Sequence, residues 1–304
     1  MPTPFNQSVI EEFRANGGKV GGPFAGGDLL LLTTTGAKSG KAHTTPLGFV
    51  RDGGLLLLVG SNLGGPRHPD WYHNVLAHPA VDVELGTEEF QAVAVPAEGE
   101  RRDRLFARIA AAEPGYGDYQ ARTSRILPVV VLERPPHEAA IPAAAGNFAE
   151  KMLQVHLWLR GQLQHVRDET DAYFAALAAH QGPGTPPEPG LGLRIRQHCL
   201  AFCDALEFHH TGEDAHLFPT MAGHHPELRE TFARLAEEHR TIARVQGELA
   251  ALLADVAGAD PERFRRELAR MSAELIRHLE HEEEVLLPIL AGLPWPPGPP
   301  AGVR

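Results

Sequence analysis

The sequence predicts a two-domain chain: an α+β half built on a small antiparallel barrel, followed by an all-α half. Two observations carry this. Up to about residue 135, short apolar runs such as DLLLLTTT and LLLLVGS are bounded by glycine and polar turns, which suits strands. After about residue 147 the apolar residues recur at helical spacing. Between them, residues 136–147 read as a Pro/Ala linker. The expected organisation is therefore a barrel domain at 1–135, the linker at 136–147, a helical domain at 148–290 and a disordered Pro-rich tail at 291–304.

The elements follow in order. A short amphipathic helix presents Val9, Ile10 and Phe13. DLLLLTTT is the first strand. A glycine-rich turn, a second strand and a hairpin turn at Asp52–Gly53–Gly54 lead into LLLLVGS. PAVDVELG and EFQAVAVPA alternate well enough for two more strands, ERRDRLFARIAAA is a helix, and ILPVVVLER is the last strand. Many short strands with few helices favour a barrel over a parallel sheet. Four helices follow, at about Phe148–His180, Leu191–Phe218, Pro226–Val256 and Pro261–Leu290, with QGPGTPPEPG breaking the first from the second.

Composition limits the function. The 304 residues carry a formal charge of -11 without a basic stripe, which argues against a nucleic-acid partner. No apolar run reaches the roughly 18 residues of a membrane span. The first residues lack the basic and apolar regions of a signal peptide. The two cysteines, Cys199 and Cys203, lie four apart on a predicted helix and read as reduced, packed thiols. The expectation is a cytoplasmic protein. Arginine outnumbers lysine 24 to 4, as a GC-rich genome produces.

Two stretches of the helical half nearly repeat each other: HHTGEDAHLFP from His209 to Pro219, and HLEHEEEVLLP from His278 to Pro288. Each opens with His, places Glu four residues on and ends in Pro. Residues four apart share a helix face, so His209 with Glu213 and His278 with Glu282 form imidazole–carboxylate pairs, and each Pro ends or kinks its helix. The predicted inward stripes are Met152, His156, Leu159, Leu163 and Val166; then Ile195, Cys199, Phe202, Leu206, His209 and Glu213; then Phe232, Leu235, His239, Ile242 and Leu249; then Phe264, Leu268, Met271, Leu275, His278, Glu282, Val285 and Ile289. A single His on such a stripe is usually a core histidine with one hydrogen bond. Six ionisable groups on one core are different, because unpaired buried carboxylates are costly and a metal offsets that cost. Mixed His and carboxylate suit iron, manganese or zinc, and the number suits a dinuclear centre. His210 and His216 flank the site, where outer roles fit their helical angle better than ligation.

On HLWLR, FHHTGEDAHLFP, EEHRTI and HLEHEEEVLLP, in that order, this half resembles the hemerythrin-like, HHE cation-binding family. The resemblance implies an up-down-up-down four-helix bundle with a non-haem di-iron centre. It carries His156, His209, Glu213, His239, His278 and Glu282 as ligands. Oxygen-transport members have a second His where this chain has Leu235, and place the last carboxylate where it has Glu283. The resemblance therefore implies reaction with, or sensing of, O2, peroxide or nitric oxide rather than oxygen carriage.

In the first half, Lys38, Ser39, Gly40 and Lys41 put two cations and free backbone N–H groups on a tight turn that can hold an anionic tail. Such a turn is also common as a solvated hairpin. Residues 61–79 then place a Gly-rich loop before Trp71, Tyr72, His73 and Asn74, which suits a flat heteroaromatic cofactor, or simply caps the barrel core. On GAKSGKAHTTPL, SNLGGPRHPDWYHN and EPGYGDYQARTSR, residues 27–133 resemble the deazaflavin-dependent nitroreductase family. That resemblance implies a split β-barrel of the flavin-reductase-like kind, often homodimeric. It implies coenzyme F420, with FMN as the alternative because His43 stands where the family usually has Arg. It implies quinone or nitro acceptors. Lys38, Ser39, Gly40, Lys41, His43, Pro46, Ser61, Asn62, Trp71 and Asn74 are the expected cofactor positions, with Tyr116 and Tyr119 on the substrate side as proton donors. The expected whole is an F420-dependent oxidoreductase with a di-iron domain. The alternative is a non-enzymatic iron, oxygen or nitric oxide sensor whose barrel serves dimerisation.

Overall fold

A computed structural model describes residues 4–134, 145–179, 191–253 and 260–293. Most of the expected linker, the break at 181–190, His180, Val256 and the tail from residue 294 lie outside the described residues.

The LLLL runs lack the alternation of a half-buried strand because both of their faces are covered. In β1 (Leu29–Thr35), Leu30 and Leu32 pack with Leu56, Leu58, Val81, Val83, Val130 and Leu132. Leu29 and Leu31 pack instead with Val9, Ile10 and Phe13 of α1 (Pro4–Ala15). Successive strand residues point to opposite faces, so one set fills the barrel and the other seats a helix. The same split recurs in β3 (Leu55–Val59) and β6 (Val129–Glu133). Their Leu57, Val59, Val129 and Val131 face Leu105 and Ile109 of α3 (Gly99–Ala112).

With β2 (Ala42–Asp52), β4 (Ala80–Leu85) and β5 (Glu88–Ala97), the strands close into a barrel in the order β1-β2-β3-β6-β5-β4, every pair antiparallel. The hairpin turn falls at Gly53–Gly54 as expected, and Gly53 takes φ +60°, the left-handed region that such tight turns require. α2 (Asp70–Ala77) follows the Gly-rich loop. In this half α4 (Gly115–Ala121) escapes the sequence reading, its GYGDYQA carrying two glycines and little helix propensity.

The helical part comprises α5 (Phe148–Ala179), α6 (Leu191–Gly212), α7 (Phe218–His224), α8 (Arg229–Leu253) and α9 (Pro261–Leu290). Contacts along their lengths fix an up-down-up-down order. His156 meets Glu283 while Asp171 meets Arg265, so α5 and α9 are antiparallel. His239 meets Glu282 while Glu248 meets Arg270, so α8 opposes α9. Asp214 meets His239 while Cys203 meets Gln246, so the α6 strand of the bundle opposes α8. The predicted stripes are buried, with one correction in α9. Leu286 and Leu290, rather than Val285 and Ile289, are the fully buried pair, one and two turns beyond Glu282 on its own face.

The two prolines act differently. Before Pro219 the helix opens into a π turn over Glu213–Leu217, whereas Pro288 sits inside α9 without ending it. The chain divides into two compact units, Met1–Pro135 with Tyr173–Ala201, and Pro136–Ala172 with Phe202–Arg304. Among the described residues no helix is long and apolar enough to cross a membrane.

Candidate cofactor cleft and candidate metal centre

The cationic turn is held from inside the barrel. Asn74, buried at the base of α2, accepts from the Ala37 N–H at 3.1 Å and donates to Thr34 Oγ1 at 3.0 Å. The N–H groups of Ser39 and Gly40 turn back to the Gly36 carbonyl, and that of Lys41 to Ser39 Oγ. Contrary to the sequence reading, these N–H groups are engaged. What the turn offers an anion is the pair of exposed side chains Lys38 and Lys41. His43 reaches Ser39 Oγ at 3.4 Å through Nε2, and Pro46 is buried on β2. Trp71 is 5% exposed and packs in the barrel core, the plainer of its two readings.

The loop after β3 is strained and clamped. Asn62 and Leu63 both take positive φ, 44° and 53°. The Arg125 guanidinium spans the loop, donating to the carbonyls of Gly60 at 3.0 Å, Ser61 at 2.5 Å and Gly65 at 2.9 Å, and to His68 Nδ1 at 3.0 Å. Burial and that guanidinium lower the His68 pKa, consistent with a neutral, accepting nitrogen. Sequence reasoning missed Arg125, although it lies in the quoted RTSR run. α4 packs on this loop, which brings the Tyr119 backbone beside Gly64. Tyr116 and Tyr119 stand edge to face, 6.1 Å apart. Tyr116 lines a cleft of about 200 Å³ with Phe24, Gly27, Asp28, Gly48 and Phe49. Burial, with help from Glu113, raises its pKa, so the phenol keeps its proton.

The second unit holds the histidines. Carboxylates fix three of them through Nδ1: Glu283 on His156 at 2.8 Å, Asp214 on His239 at 2.9 Å and Glu238 on His278 at 3.0 Å. A carboxylate only accepts, so each Nδ1 carries the proton and each Nε2 lone pair turns inward. There, Glu282 Oε2 lies 3.4 Å from His156 Nε2 and 3.8 Å from His209 Nε2, and its Oε1 lies 3.2 Å from His278 and 3.3 Å from His239. Glu213 Oε2 lies 3.5 Å from His209 and 3.6 Å from His239.

All six expected ligands therefore converge. Glu282 is the inward carboxylate, and Glu283 is the outer one, shared with Arg160. Asp214, Glu238 and Glu283 are the functional partners that the stripes could not reveal, because they sit beside the inward face rather than on it. His210 is buried too, stacked on His239 at 4.0 Å. It stands beside the site, because α6 faces α5 through His209 and the α8–α9 side through His210. His216 is exposed.

This donor set fits metal ions. The Nε2 atoms of His156, His209, His210 and His278, and the Oε2 atoms of Glu213 and Glu282, are buried without a hydrogen bond. Burial and the nearby Glu282 push the Glu213 carboxyl well above its usual range. For Glu282 burial works the same way, but the four histidines around it outweigh that and hold the carboxyl well below that range. Cations between the two carboxylates would relieve the conflict.

Residues 6–134 match the family model of the F420H(2)-dependent quinone reductases. Quinone reductases of that name from Mycobacterium tuberculosis strains H37Rv and CDC 1551 are each 41% identical over 126 residues, 40% of this chain and 85% of theirs. The chain belongs to the F420H(2)-dependent quinone reductase family. A solved F420-H2 dependent reductase, FDR-A, is 41% identical with a TM-score of 0.33, over 35% of this chain and 94% of that one. A solved domain-swapped dimer is 36% identical with a TM-score of 0.35, over 44% of this chain and 100% of that one. Unlike a lone reductase barrel, this quinone reductase family member continues into residues 147–290, which match the hemerythrin HHE cation binding domain. It is an F420-dependent oxidoreductase by family, with a helical domain of the hemerythrin HHE type attached.

Proposed function

We propose that the protein passes a hydride from reduced coenzyme F420 to a quinone, and that its helical domain holds a non-haem di-iron centre that reacts with or senses O2, peroxide or nitric oxide. The placement of Tyr116 carries the first part: a phenol kept protonated by burial, on the wall of a cleft beside the barrel strands. Bound F420H2 supplies the hydride. Lys38 and Lys41 hold its anionic tail, on a turn fixed by Asn74 and closed by Ser39, Gly40 and His43. Pro46, Ser61 and Asn62 contact the cofactor, while Trp71 packs in the barrel core. Tyr116, oriented by Tyr119, donates its proton to the quinone oxygen as hydride reaches the ring, giving the hydroquinone. The phenolate then recovers a proton from solvent. A nitro compound is the alternative acceptor, and FMN the alternative cofactor.

The converging unpaired Nε2 and Oε2 atoms support the iron reading. His156, His209, Glu213, His239, His278 and Glu282 would hold the ions, and the outer carboxylates would keep the imidazoles aimed. Cytoplasmic residence accords with Cys199 and Cys203 as thiols, with no disulfide between them. A homodimer is the assembly we expect. The deciding assay is anaerobic: purified, iron-quantified protein with F420H2 and a soluble quinone. Quinone-dependent oxidation of the coenzyme is expected; none with either quinone or nitro acceptor would end the reductase reading.

A further inference from the structure

The position on α8 where oxygen-transport hemerythrins place a second histidine is occupied here by Leu235, which is 0% exposed and packs with Phe218 and Phe232. It has no donor atom to offer. From the neighbouring helix, however, His210 enters the space beside His239 and His278. Its ring lies 4.0 Å from that of His239 and 5.0 Å from that of His278. Its Nε2 is buried and makes no hydrogen bond. Donor atoms of His210, His239 and His278 all lie within 4.8 Å of one another, as do those of His156, His209, Glu213 and Glu282 in a second set. Glu282 joins the sets, turning Oε1 toward His239 and His278 and Oε2 toward His156 and His209.

We propose that His210 is a direct metal ligand, replacing from α6 the nitrogen that Leu235 does not supply on α8. This rests on the dinuclear reading above. It makes one metal position rich in nitrogen, with His210, His239 and His278, and leaves the other with His156 and His209, the two carboxylates lying between. Five histidines rather than four then serve the pair. His210 stands one residue beyond His209, outside the His209–Glu213 pair that shares a helix face. Its place follows from α6 presenting two consecutive histidines to different neighbours: His209 to α5, His210 to α8 and α9.

The test uses the full chain loaded with cobalt(II), whose visible absorption reports the nitrogen donors at each position, and metal titration followed by elemental analysis. His210→Gly is expected to weaken one of the two cobalt ions about 10-fold or more and to change its absorption. Added imidazole should restore both in His210→Gly, because it refills the space with the missing nitrogen, and should leave the parent protein unchanged. Far-ultraviolet circular dichroism checks the helices. If the glycine variant does not fold, His210→Gln, which preserves the helix, is read by the same absorption and affinity change. Glu282→Ala serves as the control for the underlying centre. Loss of metal in Glu282→Ala alongside unchanged affinity and spectrum in the His210 variant would remove His210 from the ligand set and leave the centre standing. Retention of both ions in Glu282→Ala would overturn the dinuclear reading and the proposal with it.

Discussion

At the scale of single residues, Glu133 shows how a buried charge is made stable. It ends β6, in the same compact unit as Arg194 and His198. Burial would raise its carboxyl, but His198 at 3.0 Å and Arg194 at 2.9 Å outweigh that and pull it to about 2. A folded value below the ordinary 4.5 contributes stability that is present above pH 4.5 and lost as pH falls toward 2. At ~1.4 kcal/mol per pH unit the contribution is about 3 kcal/mol. Glu133→Gln should lower stability to urea at pH 7 and flatten its decline between those pH values; equal stability at pH 7 would contradict this. Tyr116→Phe should slow quinone turnover about 100-fold or more with little change in F420H2 affinity, measured by stopped-flow absorption. The converging histidines were legible because each falls on an apolar stripe. His198 and His210 were not, since their partners come from distant segments that spacing along one helix cannot anticipate.

Among elements, the loop at 61–65 and α4 depend on each other. Gly64 takes φ +80°, and a Cβ there would lie 2.9 Å from the Tyr119 carbonyl. Gly64→Ala should therefore cost about 1–3 kcal/mol and push α4 from the loop. Thermal unfolding should show the first effect and a raised quinone KM the second; an unchanged KM would separate the loop from the substrate side. The strands were legible as glycine-bounded apolar runs, and the helices as period-3.6 stripes. α4 was not, because packing on the loop, rather than propensity, holds it. Nor was the π turn: Pro219 marked a disturbance, but a widened turn and a kink leave the same trace in sequence.

For the whole molecule, the two family matches account for 6–134 and 147–290, and both halves were readable from motifs. The inclusion of 173–201 in the barrel's compact unit was not, since nothing in a continuous helical pattern says where along α5 and α6 the packing partner changes. Removing metal should lower the melting temperature of the helical domain, because Glu213 and Glu282 would remain buried without cations; calorimetry of chelator-treated protein checks this. Whether the halves act as one redox unit is tested by mixing di-ferric protein with F420H2 without oxygen or quinone. We expect loss of ferric absorption to keep pace with oxidation of the coenzyme. Ferric iron that persists while F420H2 still serves quinones would make the helical domain a separate sensor.

Barrel closure also bears on how the chain emerges during synthesis. β6 is the strand that joins β3 to β5, and it is made about 30 residues after β5 ends. Until Val129–Glu133 leaves the ribosome, the five earlier strands can form only an open sheet, β3-β2-β1-β4-β5, with the apolar Leu55–Val59 at one unprotected edge. Nascent chains stalled before residue 129 should be the aggregation-prone and chaperone-dependent species, and those released past 134 should not.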